Sequence, residues 1–311
     1  MKKLILLLNM GGANSLDDVA VFLKNMFNDP CILGVKNPFL RKILANFITK
    51  LRLKPAQENY KKIGGKSPIL DITDLLCKKL NLQATNEVKF DYAMNYTAPF
   101  VKDVLSKYKS INEIVVFPLY PHHSVTTITS SLNDFYKAYN ELKLNAKVRE
   151  IPEFYTSEIY NQFIINSIKS KISNANENEI SLIFSAHSLP IKTIKNGDLY
   201  EKHVTQHVQI LKNLLEKNGL KFKEIILAYQ SRLGPVKWLE PNLSEILNNL
   251  DSKKALIYPL SFCIDNSETV FELAIEYAHI AKELEFEFYK VCECPNDSDD
   301  FVKFIQDKIR E

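Results

Sequence analysis

The stretch LIFSAHSLP, residues 182 to 190, places a histidine where a short apolar run stops. His187 lies between two serines, and Pro190 prevents a strand from continuing. A neutral imidazole has an ordinary pKa of about 6.5, so it can accept a proton near neutral pH. A single histidine at a strand end can also be a polar cap bonded to nearby backbone. The serines and the proline favour a fixed orientation, so we interpret His187 as a candidate site residue.

A row of three glutamates is the second feature that suggests chemistry. Glu268, Glu272 and Glu276 recur at intervals of four, which puts them on one face of a helix that Asn266 or Ser267 can cap. A solvated face is the alternative, but the residues between the glutamates are too apolar for a mostly exposed helix. We expect some of these carboxylates to face a cavity, where a row ending near a histidine would guide a hard or borderline divalent cation.

Other histidines are weaker candidates. His122 and His123 end the segment VVFPLYPHHS, which makes them candidates at another strand end. His203 and His207 stand four residues apart, a spacing that can bind a metal on a helix. No third ligand is evident near that pair, so we expect a surface or half-buried helix face there.

The elements that must position these residues alternate between short apolar runs and longer amphipathic segments. Helix-like segments, among them 126–142 and 269–284, separate eight predicted strands at 3–8, 89–93, 113–118, 147–151, 180–185, 224–228, 254–258 and 287–292. Strand and helix in alternation predict parallel sheets with helices on both faces. The strands form two sets of four, with a break near Pro152, so we predict two α/β domains, 1–152 and 153–311. In such sheets, ligands bind outside the carboxyl ends of the strands.

Composition narrows the class of protein. Among 311 residues, 40 are Lys or Arg and 37 are Asp or Glu, a formal charge of +3 without the basic excess of a nucleic-acid surface. The apolar run 4–8 is better explained as a buried strand than as a signal peptide, and no run reaches the length of a membrane span. Five scattered cysteines predict reduced thiols in the cytoplasm, with Cys292 and Cys294 used in packing. The usual nucleotide phosphate loops are missing.

Five segments together resemble the ferrochelatase family, in its bacterial type. They are LLLNMGGANSLDDVAVFL, YKKIGGKSPIL, LIFSAHSLP, LAYQSRLGPVKWLEP and YPLSFCIDNSETVFELAIEY, and they span the chain from Leu6 to about Asp297. The strings AHSLP and QSRLGPVKWLEP are highly specific when they occur together. The resemblance implies two Rossmann-like domains, each a four-stranded parallel sheet flanked by helices, with the site in the cleft between them. It also implies that the last helix packs on the first domain.

The activity implied by this resemblance is insertion of Fe(II) into protoporphyrin IX, with release of two protons, as the last step of haem biosynthesis. His187 and Glu268 match the family's catalytic and iron-binding residues, and Glu272 and Glu276 match the acidic row behind them. The implied porphyrin positions are Met10, Lys62, Ser67 and Tyr96, to which we add His122 as a substrate contact from its strand end. Met10 matches a methionine of protoporphyrin-using members.

The resemblance has three departures: Asn266 where many relatives have histidine, Asn95 where many have Arg or Lys, and Ala274 in place of an acidic residue. The cysteines of an iron–sulfur cluster are missing, so we expect no tightly bound cofactor, with Fe(II) as a substrate. We expect no nucleic-acid partner and no transmembrane segment, but a transient membrane contact that delivers an apolar porphyrin. The alternatives are a chelatase for another metal or tetrapyrrole, a non-catalytic porphyrin or haem carrier and, more distantly, a solute-binding protein.

Overall fold

The computed structural model describes residues 2–172, 176–232 and 234–311, so Leu233 of the QSRLGPVKWLEP segment lies outside the described residues. The chain forms two compact units. Unit 1 comprises Met1–Tyr120, Ser124–Pro152 and Asp297–Glu311, and unit 2 comprises Pro121–His123 and Glu153–Asn296.

Unit 1 is built on a parallel sheet of four strands. They are β1 (Lys3–Asn9), β2 (Val88–Met94), β3 (Glu113–Pro118) and β4 (Lys147–Glu150), in the order β2-β1-β3-β4. The helices are α1 (Asp18–Phe27), α2 (Pro30–Leu33), α3 (Pro38–Lys62), α4 (Ile69–Leu82), α5 (Val101–Leu105) and α6 (Ser130–Glu141), with a 3₁₀ turn at Ser106–Tyr108. Every residue from Leu4 to Leu8 is fully buried, as expected for a central strand covered on both faces.

Unit 2 repeats this plan. Its strands are β5 (Ser181–His187), β6 (Glu224–Gln230), β7 (Lys254–Pro259) and β8 (Phe288–Val291), all parallel, in the order β6-β5-β7-β8. The helices are α7 (Glu158–Ile172), α8 (Ile191–Lys195), α9 (Tyr200–Lys217), α10 (Leu243–Asn249) and α11 (Tyr277–Glu283), with a 3₁₀ turn at Glu177–Glu179. The prediction of two four-stranded parallel sheets flanked by helices is therefore confirmed.

The C-terminal segment belongs to unit 1. It forms α12 (Asp299–Lys308), whose Gln306 Nε2 donates to Gln83 Oε1 at 3.1 Å. Just before the helix, Asp297 Oδ2 lies 3.1 Å from Lys79 Nζ. Beyond the helix, Arg149 donates to the carbonyl of Ile309. These contacts bring the end of the chain back to α4 and β4.

Two of the predicted helices begin with a wider turn than the sequence pattern indicated. The segments Val125–Thr129 and Glu268–Glu276 are π-helices, and α6 and α11 continue each of them as α-helix. In a π-helix the hydrogen bonds run from residue i+5 to residue i, and such turns occur frequently at functional sites. Hydrophobic periodicity does not separate this geometry from an α-helix, because both keep residues four apart near one another. Among the described residues, no helix is long and apolar enough to cross a membrane.

Candidate active site

Three adjacent strands of unit 2 end at the candidate site. His187 is the last residue of β5, and it pairs in register with Gln230, the last residue of β6. On the other side of β5, the chain leaves β7 and passes Ser261 before Glu268 begins its π-helix. The order β6-β5-β7-β8 makes β5 the strand at which the chain reverses its direction across the sheet. Ligands of open α/β sheets bind at the carboxyl ends beside such a reversal.

The start of the glutamate helix is fixed by Asn266. Its Oδ1 accepts the N–H of Glu268 at 2.8 Å, which satisfies one of the free donors at the helix start. Its own N–H donates to Thr269 Oγ1 at 3.0 Å. Asn266, one of the three departures from the family pattern, is thus a buried capping residue, and the capping prediction holds for Asn266.

His187 and Glu268 form a close pair. His187 Nδ1 lies 2.7 Å from Glu268 Oε2, and the two side chains are 36% and 22% exposed. Gln230 Nε2 donates to the same oxygen at 3.3 Å, and Ser231 Oγ donates to it at 3.0 Å. Three donors therefore converge on Oε2. Within the described part of the chain, no protein donor contacts Glu268 Oε1 and no protein group pairs with His187 Nε2, so these two atoms are available to a substrate.

The ionisation of the pair follows from this geometry. Burial lowers the pKa of His187, but the charge and hydrogen bond of Glu268 outweigh burial, so the pKa is raised. Burial raises the pKa of Glu268, but His187, Ser231 and Gln230 outweigh burial and lower it. An ionised Glu268 accepts only, so Nδ1 of His187 carries a proton, and in the neutral form of the imidazole the lone pair is at Nε2.

Ser231 connects Glu268 with the next glutamate. Its N–H donates to Glu272 Oε1 at 2.8 Å, and its hydroxyl contacts Oε2 of the same carboxylate as well as Glu268. Ser231 has φ of 65°, a left-handed backbone conformation that is unusual for a residue with a side chain. Backbone strain of this kind is commonly held at functional sites. Glu276, four residues beyond Glu272, is exposed.

The pKa of Glu272 is raised from 4.5 to about 7, first by burial and then by the charge of Glu268. The folded protein therefore keeps a proton that the unfolded chain releases. The stabilisation from this proton is complete below pH 4.5 and is lost as the pH rises through about 7.

In metal-free wild-type protein, the free energy of unfolding should therefore fall between pH 5 and 8. We expect Glu272→Gln to reduce that fall by at most about 3 kcal/mol. Denaturant unfolding across this pH range measures it.

Glu276→Gln is the matched control, since Glu276 lies on the same helix face but is exposed. It should leave the pH dependence of unfolding as it is in the wild-type protein. Equal flattening by both substitutions would show that net charge, rather than the environment of Glu272, sets the pH dependence.

The predicted porphyrin residues of unit 1 lie on neighbouring loops. Ser67 N–H donates to the carbonyl of Ala13 at 2.8 Å, and Tyr96 N–H donates to the carbonyl of Met10 at 3.1 Å. A Cβ on Gly12 would approach the Ser67 side chain to 2.6 Å, so the NMGG and GGKSP loops meet only because Gly12 is a glycine. Met10 is half-buried and Lys62 is exposed at the end of α3. The structure thus brings Met10, Ser67 and Tyr96 together, and their contact with porphyrin stays a prediction.

The side chains of Ser67 and Tyr96 are 1% and 4% exposed and face protein in this structure. Tyr96 Oη donates to Asp29 Oδ2 at 2.8 Å, and Ser130 donates to the same carboxylate. Asn95, another departure from the family pattern, donates from Nδ2 to Ser130 Oγ at 3.0 Å. Asp29 thus ties the loop after β2 to α2 and α6. The sequence offered no signal for Asp29, because its partners are distant along the chain.

His122 lies in a buried histidine cluster of unit 2. Its Nε2 is 2.9 Å from His207 Nδ1, and His207 Nε2 is 2.6 Å from Asn161 Oδ1. His122 is 2% exposed, His203 is 6% exposed and His207 is fully buried, so the prediction of a surface or half-buried face for His203 and His207 was wrong. Burial lowers the pKa of His207 to about 3, and burial followed by His207 lowers the pKa of His122. These rings are neutral and face each other, so direct substrate contact by His122 stays a prediction.

The arrangement at His187 and Glu268 can accept a proton and bind a cation weakly. Within the described residues, no group of three or more His, Cys, Asp and Glu side chains is placed to hold a metal ion. A site with few protein ligands leaves open positions for exchange, unlike the closed tetrahedral cage of a structural metal.

Comparison with known proteins agrees with the sequence resemblance. The family model described as Ferrochelatase matches residues 2–311. A curated relative from Campylobacter concisus, named Ferrochelatase, is 63% identical over 310 residues and covers 100% of this chain and 98% of its own length. A relative of the same name from Sulfurimonas denitrificans is 46% identical over 308 residues, covering 98% of both chains.

Solved structures support the fold. The sirohydrochlorin chelatase SirB from Bacillus subtilis subspecies spizizenii, in complex with cobalt, matches with a TM-score of 0.59 at 10% identity and covers 100% of this chain and 95% of its own. CbiX, described as the terminal enzyme of sirohaem biosynthesis in denitrifying bacteria, gives 0.55 at 11% identity and covers 100% and 98%. At such identities the likeness concerns the fold alone. The full-length match to the family model and to its curated relatives shows that this chain belongs to the ferrochelatase family.

Proposed function

We propose that this protein inserts Fe(II) into protoporphyrin IX to form protohaem and releases two protons, as the last step of haem biosynthesis. The observation that carries the proposal is the His187–Glu268 pair, joined through Nδ1 and Oε2, in which one basic nitrogen and one carboxylate oxygen have no protein partner among the described residues. Metal insertion requires both functions, because the porphyrin must lose its pyrrole protons as the metal arrives.

His187 Nε2 is the proton acceptor in this proposal. Nδ1 is engaged by Glu268 at 2.7 Å, which fixes both the ring orientation and the tautomer. When Nε2 takes a pyrrole proton, the imidazolium that forms lies against an ionised carboxylate and is stabilised by it. Positioned acid–base catalysis of this kind contributes about 10²- to 10⁴-fold to a rate.

Glu268 Oε1 is the atom that we propose binds Fe(II). Its Oε2 is occupied by three donors, so monodentate binding through Oε1 leaves those hydrogen bonds in place. A metal ligand role for His187 would compete with proton transfer for the same Nε2 atom. We therefore propose that His187 acts as the base and that Glu268 provides the iron contact.

The three glutamates offer a route by which protons leave the site for solvent. Ser231 Oγ contacts both Glu268 and Glu272, so its hydroxyl can pass a proton between the two carboxylates. The pKa of Glu272, raised to about 7 by burial and by Glu268, suits a carboxylate that exchanges protons at neutral pH. Glu276 continues the row to solvent. We propose that the imidazolium gives its Nδ1 proton to Glu268 Oε2, and that Ser231 receives a proton from Glu268 as it gives its own to Glu272. Glu276 then releases a proton to solvent, once for each pyrrole proton.

The proposed reaction moves protons and a metal ion but no electrons, since iron enters and remains as Fe(II). It therefore requires no resident redox cofactor, and Fe(II) is a substrate. The five cysteines are free thiols, four of them buried, which suits a reducing compartment. We propose that the enzyme works in the cytoplasm.

The test is an anaerobic assay in which purified protein is mixed with protoporphyrin IX and Fe(II), and the free-base spectrum is followed to the haem spectrum. The proposal predicts conversion much faster than in buffer. Co(II), Ni(II) and sirohydrochlorin serve as competitors for metal and tetrapyrrole. Tight porphyrin binding without conversion would indicate a carrier, and a clear preference for another metal or tetrapyrrole would indicate a different chelatase.

We further propose that α3 receives the porphyrin from an anionic membrane surface. Its exposed apolar side chains include Phe39 (72%), Phe47 (60%) and Leu51 (61%), which recur along the helix. Lys42, Lys50, Arg52 and Lys54 are exposed on the same helix, and no acidic residue occurs between Pro38 and Gln57. Exposed apolar rings among basic residues are the features by which helices bind anionic lipid surfaces.

The double substitution Phe39→Ser with Phe47→Ser tests the membrane contact. We expect it to lower partitioning onto phosphatidylglycerol vesicles by about tenfold, because each ring loses burial in lipid. Binding should also weaken in high salt and on phosphatidylcholine vesicles. Leu82→Ser is the control, since Leu82 is 86% exposed but lies at the end of α4. An equal effect of the control, or no binding by the wild-type protein, would contradict this proposal.

A further inference from the structure

Two fully buried polar side chains lie behind Glu268, and the hydrogen bond that joins them has no role in the proton and metal transfer proposed for the site. Ser185 and Gln230 are both 0% exposed. Ser185 Oγ donates to Gln230 Oε1 at 2.6 Å, and Gln230 Nε2 donates to Glu268 Oε2 at 3.3 Å. A continuous chain of hydrogen bonds thus runs from the interior of β5 to the carboxylate of the site.

The backbone of Gln230 is held independently of this chain. Gln230 lies in register with His187 in the sheet, and its carbonyl accepts the N–H of Ser188 at 2.8 Å. What the backbone leaves open is the direction of the side-chain amide, because an amide can present either its oxygen or its nitrogen to a neighbour. Ser185 stabilises the direction in which the nitrogen faces Glu268, because its hydroxyl is the one donor to the buried amide oxygen among the described residues.

The opposite amide direction would place two oxygens against each other, Gln230 Oε1 and Glu268 Oε2. The amide oxygen would repel the ionised carboxylate of Glu268. The carboxylate would then rotate, and Glu268 Oε1 would leave the position in which it can bind the metal. Ser185 is spaced two residues before His187 on β5, so both side chains leave the same face of the strand. The same strand thus carries the base and the residue that hydrogen-bonds the amide oxygen.

We infer that Ser185 is a positioning residue for metal insertion, acting through the Gln230 amide to hold Glu268 with Oε1 free for the metal. This inference rests on the proposed function, because it concerns the iron contact of Glu268. It predicts a selective defect toward the metal, since neither Ser185 nor Gln230 reaches the surface where a porphyrin could touch it.

The experiment compares Ser185→Ala with Ser185→Thr and with Ser181→Ala. Ser181 is the matched control: it is on the same strand, is fully buried and donates to the carboxylate of Glu224 at 2.8 Å, but it lies at the opposite end of β5 from His187. We expect Ser185→Ala to lower kcat/KM for Fe(II) about tenfold with the KM for protoporphyrin unchanged. Ser185→Thr, which keeps the hydroxyl, should restore most of the loss, and Ser181→Ala should behave as the wild-type protein.

Gln230→Met keeps the inference testable if Ser185→Ala folds poorly, because it removes the amide while Ser185 stays in place and should cause the same loss of kcat/KM for Fe(II). Where Ser185→Ala does fold, the double substitution gives a further test. In a Gln230→Met background, Ser185→Ala should cause no further loss of kcat/KM, because the amide through which it acts is already gone. Independent, additive losses would overturn the inference. So would an equal defect in Ser181→Ala, a failure of Ser185→Thr to rescue, or a matching rise in the KM for porphyrin.

A binding measurement separates this inference from the proposed function. Anaerobic equilibrium dialysis with Fe(II) alone should show about tenfold weaker binding by Ser185→Ala than by wild type, with Ser181→Ala unchanged. If the wild-type protein inserts no iron but Ser185→Ala still weakens metal binding, the proposed function fails and the role of Ser185 stands. If the wild-type protein is active and both serine variants bind Fe(II) equally well, the role of Ser185 fails and the function stands.

Discussion

Replacing His187 with alanine should reduce iron insertion by about 10²- to 10⁴-fold while protoporphyrin still binds. The reason is that Nε2 is the free basic atom of the pair, whereas Nδ1 is held 2.7 Å from Glu268. Without the imidazole, the pyrrole protons must leave to water, and the ionised Glu268 loses a hydrogen-bond donor. Anaerobic single-turnover spectra measure the insertion step, and porphyrin fluorescence measures binding separately.

His279→Ala is the control for the loss of a histidine. Its side chain is 70% exposed and pairs with Glu283 on α11, the helix that follows the π-helix of Glu268. That variant should insert iron at the wild-type rate. Added imidazole should restore part of the activity of His187→Ala, because a small base can enter the vacated space. Full activity without His187, or loss of porphyrin binding in parallel with activity, would contradict the role of a base.

Much of this site can be predicted from the sequence, because His187 and Glu268 lie close to the ends of predicted strands. The apolar run before His187 forms β5, and the strand stops before Pro190 as predicted. Asn266 caps the helix of Glu268, so the capping pattern also predicts where the glutamate row begins. Local rules of this kind need no knowledge of the rest of the fold. Hence the positions of His187 and Glu268 near strand ends are predictable from the neighbouring residues alone.

The supporting residues could not be predicted, because their roles depend on register and on backbone conformation. Gln230 reaches Glu268 only because β6 pairs with β5 so that Gln230 lies opposite His187. Ser231 reaches two carboxylates from a left-handed conformation that the sequence does not indicate. Both residues stand in the QSRLGPVKWLEP segment, which the sequence marked as a family feature without a chemical reason.

Helix α3 was missed for a related physical reason. Of its 25 residues, only Ala45 and Tyr60 are buried. A helix without a core-facing side does not need the one-sided apolar pattern from which pattern analysis predicts helices. Pro55 inside the helix also argues against a continuous helix when only the sequence is read. The feature that hides α3 from pattern analysis, its exposed apolar side chains, is the same feature that supports the membrane proposal.

Glu268→Gln should lower iron insertion by about 100-fold or more, with a raised KM for Fe(II) and unchanged porphyrin binding. Three donors converge on the Oε2 position, from His187, Gln230 and Ser231, so the amide oxygen should occupy that position. The amide nitrogen then replaces Oε1, where it binds no cation. His187 keeps its orientation, so the defect should concern the metal more than the base.

Two comparisons make the Glu268 prediction specific. Glu268→Asp keeps the charge but draws the carboxylate back from the position of Oε1, and a displacement of about 1 Å in a reacting group can cost about 10²-fold. Glu272→Gln should cost much less than Glu268→Gln, since Glu272 contacts Ser231 and lies behind the pair. Iron insertion by Glu268→Gln at the wild-type rate would contradict the assignment of the iron contact to Glu268. So would a larger defect in Glu272→Gln, which would assign that contact to another glutamate of the row. The two glutamine variants are compared above pH 8, where Glu272 with its pKa of about 7 is ionised, so that each variant loses one charge and a difference between them reports position.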